Sequence, residues 1–124
     1  MNVVDSSAWL EYFADGPNAD FFAPAVETVD RLLVPAVCFY EVFKKVLRER
    51  GEGEALQAAA LMRQGRVIPL DEGLALEAAK LSMVKKLPMA DSVVLATAWS
   101  HRAVLWTQDA DFEGLDSVQF KRRP

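Results

Sequence analysis

Cysteine and histidine each occur once in this 124-residue chain, and each scarcity removes whole classes of function. Cys38 alone cannot close an intrachain disulfide, which excludes the stapled secreted scaffolds and also the Cys-rich zinc frameworks. His101 is the one residue through which any Ser-His-Asp or Cys-His mechanism would have to run. It follows an apolar helical stretch, at the C-terminal end where partial positive charge is favourable. No run of about 18 apolar residues suggests a membrane span, and Met1-Asn2-Val3-Val4-Asp5 lacks the basic start and apolar stretch of a signal peptide. An excess of positive charge is missing too: 14 Lys+Arg face 18 Asp+Glu, a net charge of −4. Bulk attraction to nucleic-acid phosphates is therefore absent, and such a role would need local charge or metal ions. Six Gly and six Pro are too few for a disordered or fibrous chain, and 52% hydrophobic content suits a globular one. The expectation is one domain spanning residues 1–124, in the cytoplasm.

What is present is alternation. Asn2-Val3-Val4-Asp5 reads as the end of a buried strand, and Trp9, Tyr12 and Phe13 follow at helical spacing. A second helix is predicted from Asn18 to about Val29, a strand at Arg31–Val34, and a long helix from Pro35 to Arg50, stopped by Gly51. Ala55–Gln64 reads as helix and Arg66–Leu70 as a strand whose Pro69 favours a margin. Asp71 caps a helix reaching Lys85-Lys86. Pro88 opens another, apolar nearly all round through Trp99 and therefore buried. Strands at Ala103–Thr107 and Ser117–Phe120 complete the pattern, with a loop or turn over Asp109–Leu115. Strands alternating with helices predict an α/β fold around a mainly parallel sheet of four to five strands, with working residues beyond the carboxyl ends of the strands.

Acidic residues gather at those ends. Asp5 closes strand one, and Asp109 follows strand four, so the two converge if these strands are neighbours. Asp91 falls in the first turn of the 88–99 helix with no basic partner nearby, and Glu41 lies on the helix after strand two. Four such acids repel one another unless a cation sits among them. All-oxygen donors without His or Cys favour Mg²⁺ or Mn²⁺ over zinc. That is the composition of a metal-dependent nuclease site.

The pieces Val4-Asp5-Ser6-Ser7, Phe39-Tyr40-Glu41-Val42, Met89-Ala90-Asp91-Ser92-Val93-Val94-Leu95-Ala96-Thr97-Ala98 and Leu105-Trp106-Thr107-Gln108-Asp109-Ala110-Asp111-Phe112 cover nearly the whole chain. In this order they resemble the PIN-domain ribonucleases of the VapC-type toxin group. The resemblance implies a PIN-like three-layer fold and a metal-dependent endoribonuclease that hydrolyses RNA phosphodiester bonds as the toxin of a toxin–antitoxin pair. It implies Asp5, Glu41, Asp91 and Asp109 as metal-binding catalytic acids, with Mg²⁺ or Mn²⁺ as the ion. Ser7 and Thr107 would orient the cluster or a bound water, and Asp111 would assist from outside the ligand set. It further implies a homodimer and a cognate antitoxin, a segment of which enters a groove near the helices that carry Trp9, Tyr12, Phe13, Phe21 and Phe22. One departure is Lys85-Lys86-Leu87-Pro88, where relatives often carry a glycine.

Each residue also has a plainer reading. Asp5 could cap the first helix, Asp91 could complement a helix dipole, and Glu41 could pair with Lys44 and Lys45 on a solvated face. Lys44, Lys45 and Arg48 lie three, four and seven residues after Glu41, placed either to hold RNA phosphates or to face solvent. Cys38 reads as a small buried hydrophobe. Asp109-Ala110-Asp111-Phe112-Glu113-Gly114 opens like a calcium-binding loop, but Phe120 stands where the closing Glu would be. The competing functional class is a non-catalytic PIN scaffold that acts by protein or RNA binding.

Overall fold

The computed structural model describes residues 1–124. Five short strands, β1 (Asn2–Val4), β2 (Leu32–Pro35), β3 (Arg66–Ile68), β4 (Val104–Thr107) and β5 (Val118–Phe120), form one sheet in the order β3-β2-β1-β4-β5. Every neighbouring pair is parallel. Six helices flank the sheet: α1 (Ser6–Phe13), α2 (Ala19–Glu27), α3 (Ala36–Arg50), α4 (Glu52–Met62), α5 (Glu72–Lys85) and α6 (Met89–Ser100). The alternation predicts this α/β arrangement around a parallel sheet, and the PIN resemblance implies its helix-flanked layers.

The central strands are continuous apolar runs, as parallel strands covered on both faces must be. Val3, Val4, Leu32, Leu33, Val34 and Leu105 are all essentially inaccessible, and Trp9, Phe22, Leu95 and Phe112 pack around them. The third strand lies at a sheet edge with Pro69 just beyond it, the margin where a missing N–H costs no ladder bond.

Helix α6 lacks an amphipathic stripe because it is covered on two sides. Val94, Leu95 and Ala98 join the main core, while Val93 and Ala96 meet Ala78 of α5 in a second cluster. Helix α5 is correspondingly an outer layer: Ala78 is its one buried residue, and Leu76, Met83 and Val84 are exposed.

Differences from the sequence reading sit at element ends. Helix α4 begins at Glu52, directly after Gly51 at φ +92°, because Glu52 and Glu54 favour a first turn. The second helix ends at Glu27, and a 3-10 turn at Val29–Arg31 leads into β2. Asp5 is itself the N-cap of α1, its side chain accepting from Ser7 N. Capping and a place at the sheet edge are thus two roles of one carboxylate.

Candidate active site

The site begins with a pairing register. Val4 lies opposite Trp106, so the next residues, Asp5 and Thr107, emerge together at the carboxyl ends of β1 and β4. Strand order reverses at this seam: β2 and β3 follow on one side of β1, while β4 and β5 lie on the other. Crevices in parallel sheets open at such points.

A cleft of about 620 Å³ opens here, and Asp5, Glu41, Asp91 and Asp109 all line it. Asp91 arrives from the first turn of α6 and Glu41 from the second turn of α3. Asp91, Asp109 and Asp111 each offer a carboxylate oxygen within 4.8 Å of the others. Asp111 therefore stands closer than the sequence reading places it. The cause is local: Asp109 Oδ1 accepts from Asp111 N at 2.9 Å and caps a 3-10 turn over Ala110–Phe112, which brings the two carboxylates together.

Asp5 and Glu41 are held by hydroxyls at the back of the cleft. The Thr107 hydroxyl and the Ser7 backbone N–H both donate to Asp5, and Ser7 Oγ donates to its Oδ2 at 3.1 Å. Ser6 Oγ donates to Glu41 Oε1 at 2.6 Å. Ser7 and Thr107 thus orient Asp5, whereas Ser6, which the sequence reading passes over, performs that service for Glu41.

None of these five acids has a Lys, Arg or His nitrogen within 4.0 Å; every ion pair in the molecule lies elsewhere. Electrostatics show the consequence. Burial pushes the Asp5 carboxyl up to about 6, against the lowering effect of its donors from Thr107 and Ser7. Burial, then the charges of Asp109, Asp5, Asp111 and Glu41, pushes Asp91 up to about 7. Clustered carboxylates raised in this way are relieved by a cation. An all-oxygen donor set of this kind fits a hard divalent ion such as Mg²⁺.

Cations rim the cleft at a distance. Lys44, Lys45 and Arg48 line its α3 wall, and Arg123 enters from the segment after β5. Part of this wall also satisfies the solvated-face reading, since Lys45 Nζ lies 3.2 Å from Glu49 Oε1 and Lys44 Nζ sits 5.4 Å from the Tyr40 ring centroid. His101 stands at the other end of α6, about 15 Å along the helix from Asp91. Its Nδ1 donates to Thr97 O at 2.8 Å, a bond that the carbonyl can only accept. Cys38 is buried under the acids with its thiol pushed well up by that burial, the small apolar role its sequence context suggests.

The aromatic cluster divides. Trp9 and Phe22 are core residues, so neither can belong to a groove, and only Tyr12, Phe13 and Phe21 keep partial exposure. Phe13 stacks on Trp9 and lines a second groove of about 390 Å³ with Leu10, Val46, Ala58 and Leu61, between α1, α3 and α4. Leu10, Ala14 and Lys45 line both this groove and the acidic cleft, so the two adjoin.

Comparison with known proteins bears on this arrangement. No curated protein matches the chain in sequence. Among solved structures, a toxin–antitoxin complex from Klebsiella pneumoniae superposes with a TM-score of 0.79 at 22% identity, covering 96% of each chain. The sarcin–ricin loop cleaving toxin VapC20 of Mycobacterium tuberculosis superposes at 0.78 and 16% identity, over 94% of this chain and 95% of the other. VapBC-1 from nontypeable Haemophilus influenzae gives 0.72 at 18%, over 98% and 96%. At these identities the likeness is one of fold. The PIN domain family model, however, matches residues 3–118, from within β1 to the first residue of β5 and including all five clustered acids, and the chain belongs to the PIN domain family.

Proposed function

We propose that this chain, as one PIN domain over residues 1–124, is a divalent-metal-dependent endoribonuclease and the toxin of a toxin–antitoxin pair acting in the cytoplasm. The observation that carries this reading is the convergence of Asp91, Asp109 and Asp111 within 4.8 Å, beside Asp5 and Glu41, with no cationic partner. A pure scaffold gains nothing from clustered carboxylates without a cationic partner.

Asp5, Glu41, Asp91 and Asp109 would hold Mg²⁺ or Mn²⁺, with Asp111 close enough to join them. When bound, a divalent cation supplies concentrated positive charge where hydrolysis of a phosphodiester develops negative charge. The chain's own residues do the rest. Thr107 and Ser7 hold the Asp5 carboxylate in one orientation, and Ser6 holds Glu41. Lys44, Lys45 and Arg48 bind the phosphates of an RNA strand along the α3 wall, sequence-independently. Water attack with departure of the 3′ oxygen leaves 5′-phosphate and 3′-hydroxyl ends.

The solved relatives include toxins in complex with antitoxins, which supports an antitoxin as partner here. We assign its segment to the groove beside Phe13 and Leu61, since an occupant there abuts Lys45 and the cleft mouth. Homodimerisation is supported by Leu76, Met83, Val84 and Met89, exposed on α5 and at the start of α6, an apolar face of the kind a second copy covers.

The test is cleavage of single-stranded RNA by purified protein with Mg²⁺, with Mn²⁺ and with excess EDTA, the product ends being mapped. Cleavage confined to the metal-containing reactions is expected. Undiminished cleavage in chelator removes the metal from the reading, and RNA binding without cleavage in either metal favours the scaffold.

A further inference from the structure

The segment after β5 is tied to the acidic cleft by a continuous path of hydrogen bonds. Lys121 N donates to Thr107 O at 3.0 Å, and the next carbonyl, Arg122 O, accepts from Asn18 Nδ2 at 3.1 Å. Asn18 is buried, and its amide also donates to Gln108 Oε1 at 3.0 Å, while its backbone N donates to Glu11 Oε2 at 2.7 Å. Gln108, buried as well, donates from Nε2 to Ser7 O and from its backbone N to Ser7 Oγ, each at 3.4 Å. That Ser7 hydroxyl is the one that donates to Asp5. A buried amide with both donors engaged fixes what it touches, because breaking either bond strands a polar group away from water.

Beyond this anchor the two arginines part. Arg122 Nη2 turns to Glu113 Oε2 at 3.7 Å, whereas Arg123 lines the acidic cleft with no carboxylate within 4.0 Å. Arg123 reaches the cleft from the β5 side of the sheet. Lys44, Lys45 and Arg48 reach it from α3, which follows β2, and the strand order puts β2 and β5 on opposite sides of the β1–β4 seam. Positive charge therefore stands on both sides of the acidic floor.

We propose that Arg123 binds an RNA phosphate on the side of the acids opposite α3, and that Asn18 is the positioning residue that holds it there. This rests on the nuclease reading of the same cleft. A strand gripped along α3 alone can pivot about that wall. A second grip across the seam aligns the backbone over Asp91 and Asp109. Arginine suits the task because its charge is permanent and its planar fork pairs with two phosphate oxygens at once.

The experiment measures steady-state cleavage of a single-stranded RNA oligonucleotide in Mn²⁺ and its binding as a function of salt, with thermal unfolding of every variant. Arg123→Ala is expected to raise KM about fivefold with kcat changed less than about twofold, and to flatten the salt slope by about 0.7. Arg123→Lys should restore the slope but only part of the KM, since the fork is lost. Asn18→Ala should reproduce the rise in KM, and it should add nothing in the Arg123→Ala background, whereas a general loss of packing would add in full. Arg63→Ala, at an exposed charge that closes the C-terminal end of α4 and does not line the cleft, controls for net charge. Wild-type cleavage with unchanged KM and salt slope in Arg123→Ala overturns the proposal and leaves the nuclease reading standing. An additive Asn18→Ala effect overturns the positioning role, and Arg123, being exposed, remains testable even where Asn18→Ala does not fold. Failure of wild type to bind or cut RNA in metal overturns both readings.

Discussion

The Thr107 hydroxyl donates to Asp5 across the seam between β4 and β1 while accepting from the backbone N–H of Asp109 at 2.9 Å, so one buried oxygen joins two candidate metal ligands. Its position follows from register alone, since Val4 pairs with Trp106 and the residues after them emerge side by side. A threonine suits this place better than a serine would, because its methyl fills core space while the hydroxyl stays polar. The arrangement makes Thr107 a lever on Asp5 that can be moved without touching a carboxylate.

Thr107→Val keeps the shape and removes the oxygen. Asp5 then loses its strongest lowering influence, its carboxyl rises further above about 6, and Asp109 N loses its acceptor. A loss of about 1–3 kcal/mol in stability is expected for the stranded groups. Metal affinity at pH 7 should fall as well, and Thr107→Ser should recover most of it. Metal titration followed by thermal unfolding checks this. Wild-type affinity in the valine variant would remove Thr107 from any role at the site.

The metal-free protein should lose stability as pH rises. For a carboxyl whose folded pKa lies above its unfolded one, the folded state holds more protons between the two values, so unfolding becomes easier with each step upward in pH. Asp5 moves from the usual 3.8 to about 6 and Asp91 from 3.8 to about 7. These two groups therefore lower stability progressively from about pH 4 to about pH 7, with no further decline from them above that. Saturating Mg²⁺ should shrink or reverse the slope, because a cation favours the ionised forms. Denaturant unfolding in EDTA and in Mg²⁺ across this range provides the comparison.

Local physics explains which parts of this site were legible before the structure. Asp5, Asp91 and Asp109 each sit at a strand end or a first helical turn, positions marked by β-branched runs and by Pro88, and the convergence of β1 and β4 follows once the sheet is parallel. The closeness of Asp111 to Asp91 and Asp109 is not legible in the sequence, because an i,i+2 spacing says nothing about direction until the Asp109 cap bends the chain into a 3-10 turn. Asn18, Gln108 and Arg123 were invisible for a different reason. Asn18 bonds Gln108 and the Arg122 carbonyl across 90 and 104 positions, which sets where the neighbouring Arg123 leaves the sheet, and no periodicity or cap signals such partners. The division of the aromatic cluster between core and surface is not legible either, because helical spacing identifies a face and not its depth: Trp9 and Phe22 enter the core while Tyr12, Phe13 and Phe21 stay partly exposed.

The C-terminal cap of α5 carries a measurable cost. Lys86 closes α5 in the left-handed conformation, φ 56° and ψ 46°, with its N–H bonded to Ser82 O. Glycine takes this conformation without the clash that a Cβ meets. Lys86→Gly should therefore stabilise the protein by about 0.5–1 kcal/mol while cleavage stays unchanged, since Lys86 does not line the cleft. Chemical denaturation decides it. A destabilised glycine variant would mean that the lysine side chain contributes more than its backbone strain costs.

Asp91→Asn separates a working site from a structural one by the sign of a stability change. Asp91 is half-buried, carries a raised pKa, and feels four other carboxylates with no cation among them. Above pH 7 the metal-free protein holds that charge against its neighbours, so a neutral, nearly isosteric amide should relieve repulsion. The expected result in EDTA at pH 8 is a variant as stable as wild type or more so. In Mg²⁺ the order should invert: wild type gains stability by mass action, and the variant gains little because one ligand is gone. Cleavage should be lost. A helix-dipole role predicts the opposite in EDTA, a loss of about 0.3–1 kcal/mol that metal does not change. Thermal unfolding of both proteins in both conditions, beside the RNA cleavage assay, distinguishes the two. Destabilisation in EDTA together with retained cleavage would take Asp91 out of the site, and the ion would have to be held by Asp5, Glu41, Asp109 and Asp111, of which Asp5 and Glu41 are already held by hydroxyls.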